Sequence, residues 1–109
     1  MNLTKKEITT SGVKFVFEEN GQPIGRAYLY LIYNGLHEAP YGLLEDVFVE
    51  ENHRGGGMGG ELVKAVIAEA KRLGCYKLVG TSRQERENVH VWYKNLGFKD
   101  YGKEFRMDF

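Results

Sequence analysis

The chain has little of what usually labels a protein at sight. It carries one cysteine, Cys75, so no internal disulfide can form and a reducing compartment fits. With the apolar residues Leu78 and Val79 close by, Cys75 reads as a small residue of a buried strand, and no histidine or metal-ligand spacing around it suggests a reactive thiol. The three histidines, His37, His53 and His90, are scattered without zinc spacing, so no metal is expected. Net charge is absent too, with 15 basic against 15 acidic side chains, which removes any global attraction to nucleic acid or an acidic membrane. Met1 to Lys6 opens no long apolar run, so neither a signal peptide nor a membrane span is expected, and the cytoplasm is the expected location.

What is present is a globular composition, 42% hydrophobic and 28% charged over 109 residues, enough for one core and hence one domain spanning 1–109. Val13 to Glu18 alternates apolar and polar residues, Asn20-Gly21-Gln22-Pro23 supplies turn chemistry, and Ile24 to Tyr33 resumes as a strand, which together predict a hairpin. Leu3 to Thr10 is a weaker candidate strand. Asn34 to Gly42 reads as a loop, and Leu43 to Val49 as an apolar strand interrupted by the carboxylates Glu45 and Asp46. Leu62, Val63, Val66, Ile67, Ala70 and Leu73 recur at helical spacing up to Gly74, and Tyr76 to Gly80 follows as a short strand. Strand, helix and strand make a βαβ unit with parallel strands. Val89, Trp92, Tyr93 and Leu96 form the stripe of a second helix, Gly97 suits its left-handed end, and Phe98 to Phe109 is predicted as strand, turn and strand. The fold class is α/β: a mixed sheet with a central βαβ unit and flanking helices.

Arg54-Gly55-Gly56-Gly57-Met58-Gly59-Gly60 joins the apolar strand to the first helix, where the leading N–H groups lack intrahelical partners. Without side chains a ligand reaches the backbone, and a helix N-terminus favours negative charge, so phosphate or pyrophosphate is the natural occupant, with Arg54 as an added cation. No Ser, Thr, Asp or Asn stands there as a cap. Gly55, Gly57 and Gly60 also match G-x-G-x-x-G, but Glu50 to Arg54 separates them from the strand and no acidic residue stands about twenty positions on, unlike a dinucleotide fold. Glu61-Leu62 after the last glycine excludes the Lys-Ser/Thr of an NTPase loop.

Arg54-Gly55-Gly56-Gly57-Met58-Gly59 resembles the R/Q-x-x-G-x-G/A motif of the GNAT N-acetyltransferase superfamily, and Tyr93-Lys94-Asn95-Leu96-Gly97-Phe98 resembles its Y-x-x-x-G-F signature. The likeness runs from about residue 13 to the C-terminus. It implies that Arg54, Gly55, Gly56, Gly57, Met58, Gly59 and Gly60 hold the pyrophosphate of acetyl-CoA. The backbone of Val47, Phe48 and Val49 would then pair with the pantetheine arm and polarise the thioester carbonyl. By the same resemblance Tyr93 protonates the departing thiolate. Glu45 is the candidate base for the acceptor amine, with Asp46 and Glu50 as competitors. Leu44-Glu45-Asp46-Val47, Gly74-Cys75-Tyr76-Lys77 and Gly102-Lys103-Glu104-Phe105 faintly resemble glucosamine-6-phosphate N-acetyltransferases.

Arg86 stands where many relatives carry an asparagine that touches pantetheine, and Asn88 is its possible replacement. The N-terminal helical segment that walls the acceptor pocket in the family is reduced, so the acceptor side is either open or completed by a second subunit, and a dimer is expected. Tyr28, Tyr30, Tyr33 and Tyr41 are either pocket or strand residues, and Arg83, Arg86 and Lys94 either meet CoA phosphates or lie on a solvated surface. The expected function is acetyl transfer from acetyl-CoA to a primary amine, on a small molecule or a peptide, in a ternary complex without an acyl-enzyme. A CoA-binding sensor that has lost turnover is the alternative, favoured by the reduced N-terminal segment as the enzyme is by Glu45 with Tyr93. A protein-protein module using the sheet edge is a third reading.

Overall fold

The computed structural model describes residues 1–82 and 86–109. Strands β1 (Ser11–Glu19), β2 (Gln22–Ile32) and β3 (Tyr41–Val49) precede a 3-10 turn at Glu51–His53 and helix α1 (Met58–Arg72); β4 (Leu78–Gly80) and α2 (Glu87–Asn95) follow. The sheet order is β1-β2-β3-β4, antiparallel for the first two pairs and parallel for β3 with β4, which is the predicted βαβ crossover. The hairpin turn contracts to Asn20-Gly21 between the paired Glu19 and Gln22. Both turn residues take positive φ, 54° and 79°, as the tight twist-matched hairpin turn requires.

Alternation along β2 buries Gly25, Ala27, Leu29 and Leu31, and the stripe of α1 buries Leu62, Val63, Val66 and Ala70 in the same cluster. Leu29, Val63 and Val66 are fully enclosed, each contributing about 1.5–3 kcal/mol of transfer free energy. Helix α2 brings Trp92, Tyr93 and Leu96 against this core. Helix α1 closes with a left-handed Gly74, whose N–H donates to the Lys71 carbonyl while that of Cys75 donates to Ala70, capping the last turn.

Gly42 has a packing reason to lack a side chain. A Cβ there would lie 2.9 Å from both Leu29 Cδ1 and Leu78 Cδ1, at the point where β3 runs between β2 and β4. Gly42→Val is expected to destabilise the fold by about 1–3 kcal/mol through overpacking, read as a lower midpoint in urea with an unchanged slope. Equal midpoints would show that the two leucines rearrange freely.

Two sequence expectations fail at the chain's ends. Leu3 to Thr10 forms no strand, and Leu3 and Ile8 are exposed. Phe98 to Phe109 likewise forms neither strand, leaving Tyr101, Phe105, Met107 and Phe109 exposed. Extended propensity without a ladder partner or a face to bury does not make a strand. Elsewhere boundaries move: β3 begins at Tyr41 and α1 at Met58, so Gly59 and Gly60 fall inside its first turn, and β4 begins at Leu78, which leaves Cys75 outside the strand and only partly buried, against the expectation for it.

Candidate active site

The site begins with an irregularity in β3. Arg26 pairs with Phe48 but Tyr28 pairs with Glu45, so β3 carries one extra residue against β2, a β-bulge. Asp46 sits in it with φ 51°, a left-handed conformation that costs a non-glycine residue about 1–3 kcal/mol, Asp tolerating it better than most. Arg26 answers across the strands: its Nε donates to Asp46 Oδ2 at 2.7 Å and its Nη2 to Oδ1 at 3.2 Å. Hydrogen bonding to that guanidinium holds the Asp46 carboxyl below its ordinary 3.8. A carboxylate committed in this way is a poor candidate for a general base.

On the other side of β3, pairing with β4 covers Gly42 to Leu44 only, while β3 runs on to Val49. The two strands therefore part at Glu45, and a cleft of about 310 Å³ opens between them. Glu45, Asp46 and Val47 line one wall; Thr81, Ser82 and Arg86 contribute another, and Trp92 and Tyr93 of α2 a third.

Tyr93 is fixed by the way α2 ends. Gly97 takes φ 104°, its N–H donating to Lys94, and the Phe98 N–H donates to the carbonyl of Tyr93 itself. This reversal lays the Phe98 ring edge-on against Tyr93, centroids 5.3 Å apart. The Y-x-x-x-G-F spacing is thus a helix-stop motif whose hydrophobic contact grips the tyrosine ring. Burial pushes the Tyr93 phenol above its ordinary 10.0, and the nearby Glu45 carboxylate adds to the shift while Arg86 opposes it. The phenol is therefore a proton donor at neutral pH, and it shares the cleft with Glu45.

The glycine turn abuts this cleft: a Cβ at Gly59 would lie 3.7 Å from Trp92 and 3.9 Å from Val49. Gly55 and Gly57 have φ of 88° and 84°, which explains them by backbone geometry. Gly56 and Gly60 have no such need, and a Cβ at either meets no atom within 4 Å, so the space above them is open to a ligand. Gly57 is the N-cap of α1 and provides no side-chain cap, leaving the first N–H groups for an anion. A pyrophosphate fits this cradle, which has room where side chains would be. Met58 points away, its sulfur 3.0 Å from where a Gly25 Cβ would be. Arg54 does more than stand by as a cation: its Nε donates to the Val49 carbonyl at 2.8 Å, and its guanidinium lies 5.5 Å from the Phe48 ring centroid. His53 Nε2 lies 2.8 Å from Glu19, tying the turn to the β1–β2 hairpin.

Other candidates fall outside the cleft lining. Asn88 is exposed on the first turn of α2, whereas Arg86 lines the cleft. Glu50 is exposed beyond the end of β3, and its N–H donates to the Ile24 carbonyl. Lys94 is exposed, and Arg83 lies outside the described residues. Tyr28 and Tyr30 stack on one another at 5.8 Å, and Tyr41 meets Tyr76 edge-on at the far end of β3. Arg26 is the residue that sequence reasoning missed: Asp46 in a strand called for a partner, but nothing near it in sequence pointed to Arg26, 20 positions away. Among the described residues no group of three or more His, Cys, Asp or Glu could hold a metal.

This strand-turn-helix arrangement agrees with comparison to known proteins. The model of the acetyltransferase (GNAT) family matches residues 3–98, and the chain belongs to that family; by family it is an acetyltransferase enzyme. It is 32% identical over 102 residues to an aminoglycoside N(6')-acetyltransferase type 1 of Stenotrophomonas maltophilia, covering 90% of this chain and 67% of that protein. It is 33% identical over 67 residues to a glucosamine 6-phosphate N-acetyltransferase of Trypanosoma brucei brucei, covering 62% of this chain but only 44% of the relative. The crystal structure of an acetyltransferase from Trypanosoma brucei superposes with a TM-score of 0.83 at 28% identity, covering 90% of this chain and 69% of that one.

Proposed function

We propose that this chain transfers the acetyl group of acetyl-CoA to a primary amine of a small molecule, by direct attack in a ternary complex. The observation that carries the reading is the cleft in which Glu45 and Tyr93 share the space opened by the parting of β3 and β4, with the glycine turn alongside. An alkylammonium of pKa about 10.4 is no nucleophile until it loses a proton. Glu45 takes that proton, directly or through water. The amine nitrogen then bonds to the thioester carbon, with a backbone N–H of the Val47 to Val49 segment that points away from β2 facing the carbonyl oxygen as it gains negative charge. As the carbon–sulfur bond breaks, Tyr93 gives its proton to the sulfur, the extra proton on the attacking nitrogen passes to the phenolate directly or through water, and the neutral amide and thiol leave. The turn from Arg54 to Gly60 holds the pyrophosphate throughout.

The two curated relatives above act, by name, on amino sugars, and amines of that class are the first acceptors to try. The reading extends to a cytoplasmic enzyme and a homodimer in which a second copy walls the acceptor side; no helix among the described residues is long and apolar enough to cross a membrane. Calorimetric titration with acetyl-CoA, followed by thiol release with glucosamine 6-phosphate and aminoglycosides, tests the proposal. Binding with acceptor-dependent thiol release is expected. Binding with no release from any amine would favour a CoA sensor, and no binding to the folded protein would sink both.

A further inference from the structure

We propose that Arg26 is a positioning residue: its two hydrogen bonds to Asp46 hold the β3 bulge and so aim the Val47 to Val49 backbone along the cleft. The role rests on the acetyl-CoA reading above. The bulge is the place where β3 needs outside help. Asp46 is held at φ 51° in mid-strand, and past Leu44 no ladder with β4 steadies the far edge among the described residues. Arg26 reaches both sides of the irregularity with one guanidinium. It chelates Asp46 at 2.7 and 3.2 Å and lies over the Phe48 ring, 4.6 Å from the centroid. Arg54 approaches the same ring while bonding the Val49 carbonyl, so Phe48 is flanked by one arginine anchored in the bulge and another that opens the pyrophosphate turn. Cation-π contact and paired hydrogen bonds give the planar guanidinium a fixed orientation that a lysine would not have.

The charges facing this pair are few. Lys14 acts on Asp46 in the same sense as Arg26, and Glu50 and Tyr28 act on Arg26. Both partners are partly exposed, 39% and 49% by side chain, so the pair adds little to global stability. Its effect is directional. A backbone donor displaced by about 1 Å from a reacting carbonyl costs on the order of a hundredfold in rate.

The test uses Arg26→Ala, Asp46→Gly and the double variant, titrated with acetyl-CoA and with ADP, which has a pyrophosphate but no pantetheine. Arg26→Ala is expected to weaken acetyl-CoA by about tenfold and leave ADP nearly unchanged. In the double variant, glycine takes positive φ without strain, so acetyl-CoA affinity is expected to return to about that of Asp46→Gly alone. An unchanged acetyl-CoA affinity in Arg26→Ala, an equal loss for ADP, or no recovery in the double variant would overturn the clamp. A ligand-free readout separates this failure from that of the proposed function. In wild type, NMR should show the strong intraresidue HN–Hα cross-peak that positive φ produces at Asp46, and Arg26→Ala should lose it. Its persistence refutes the clamp even if acetyl-CoA binds, while loss of the cross-peak in a protein that never binds acetyl-CoA refutes only the assigned function.

Discussion

Tyr93→Phe is expected to lower acceptor-dependent thiol release by about 10²- to 10⁴-fold at neutral pH, the usual range for removing a general acid. The ring stays, so its contact with Phe98 and the closing turn of α2 stay with it. Acetyl-CoA affinity should change little, because the proton is needed only as the carbon–sulfur bond breaks; the loss therefore falls on kcat rather than KM. The pH behaviour follows from the direction of the shift. Burial and the neighbouring Glu45 favour the neutral phenol, so the folded value lies above 10.0 and the donor form prevails throughout the neutral range. The stability that this preference contributes is complete below the unfolded value and is lost as pH rises through the folded one. Activity should thus have no alkaline limb from Tyr93 until pH passes 10. A Phe variant with wild-type kcat would remove Tyr93 from the proton pathway and leave water as the donor.

Gly56→Asp is expected to weaken acetyl-CoA by about a hundredfold or more, a loss of about 2.7 kcal/mol, with the fold intact. Gly56 does not use positive φ, and the space beside it is open, so a side chain there meets nothing in the free protein. A substitution of that kind normally alters stability by less than about 0.5 kcal/mol. On the proposed reading the carboxylate meets the ligand's charge, since it enters the space proposed for a phosphate oxygen and carries the same sign. Gly57→Asp would not make the same measurement, because φ 84° strains any side chain and mixes folding with binding. Thermal melting beside calorimetric titration separates the two. Equal affinities for wild type and Gly56→Asp would place the pyrophosphate elsewhere.

Much of this was legible in the residues themselves. The hairpin followed from alternation around Asn20-Gly21, and the βαβ unit from the change of period between Val49 and Leu62. The glycine turn stood out because side chains are missing where a helix begins. Local rules sufficed for these, since each depends on residues adjacent in sequence. The bulge was not legible in this way. Asp46 and its partner Arg26 are 20 positions apart, and nothing local to either forecasts the register shift that brings them together. The same limit explains the ends of the chain. Alternation in Phe105-Arg106-Met107-Asp108-Phe109 permits a strand, but only a neighbouring edge can make one. Tyr93 lies between these cases: its spacing to Gly97 and Phe98 was visible, and the helix-stop geometry explains why that spacing matters.

Gly57, the N-cap of α1, offers no side chain to cap it, and the first turn holds two more glycines, so the leading N–H groups of the helix lack partners within it. An anion seated there, on the proposed reading the pyrophosphate of acetyl-CoA, would supply the missing hydrogen bonds and make the bound cosubstrate in effect a piece of secondary structure. Occupancy and folding then draw on the same few bonds. At a free concentration a hundred times Kd, the linkage is about 2.7 kcal/mol. For a small domain, that difference alters how often a protease finds the chain open, so the lifetime of the protein would track the metabolic supply of its own acetyl donor.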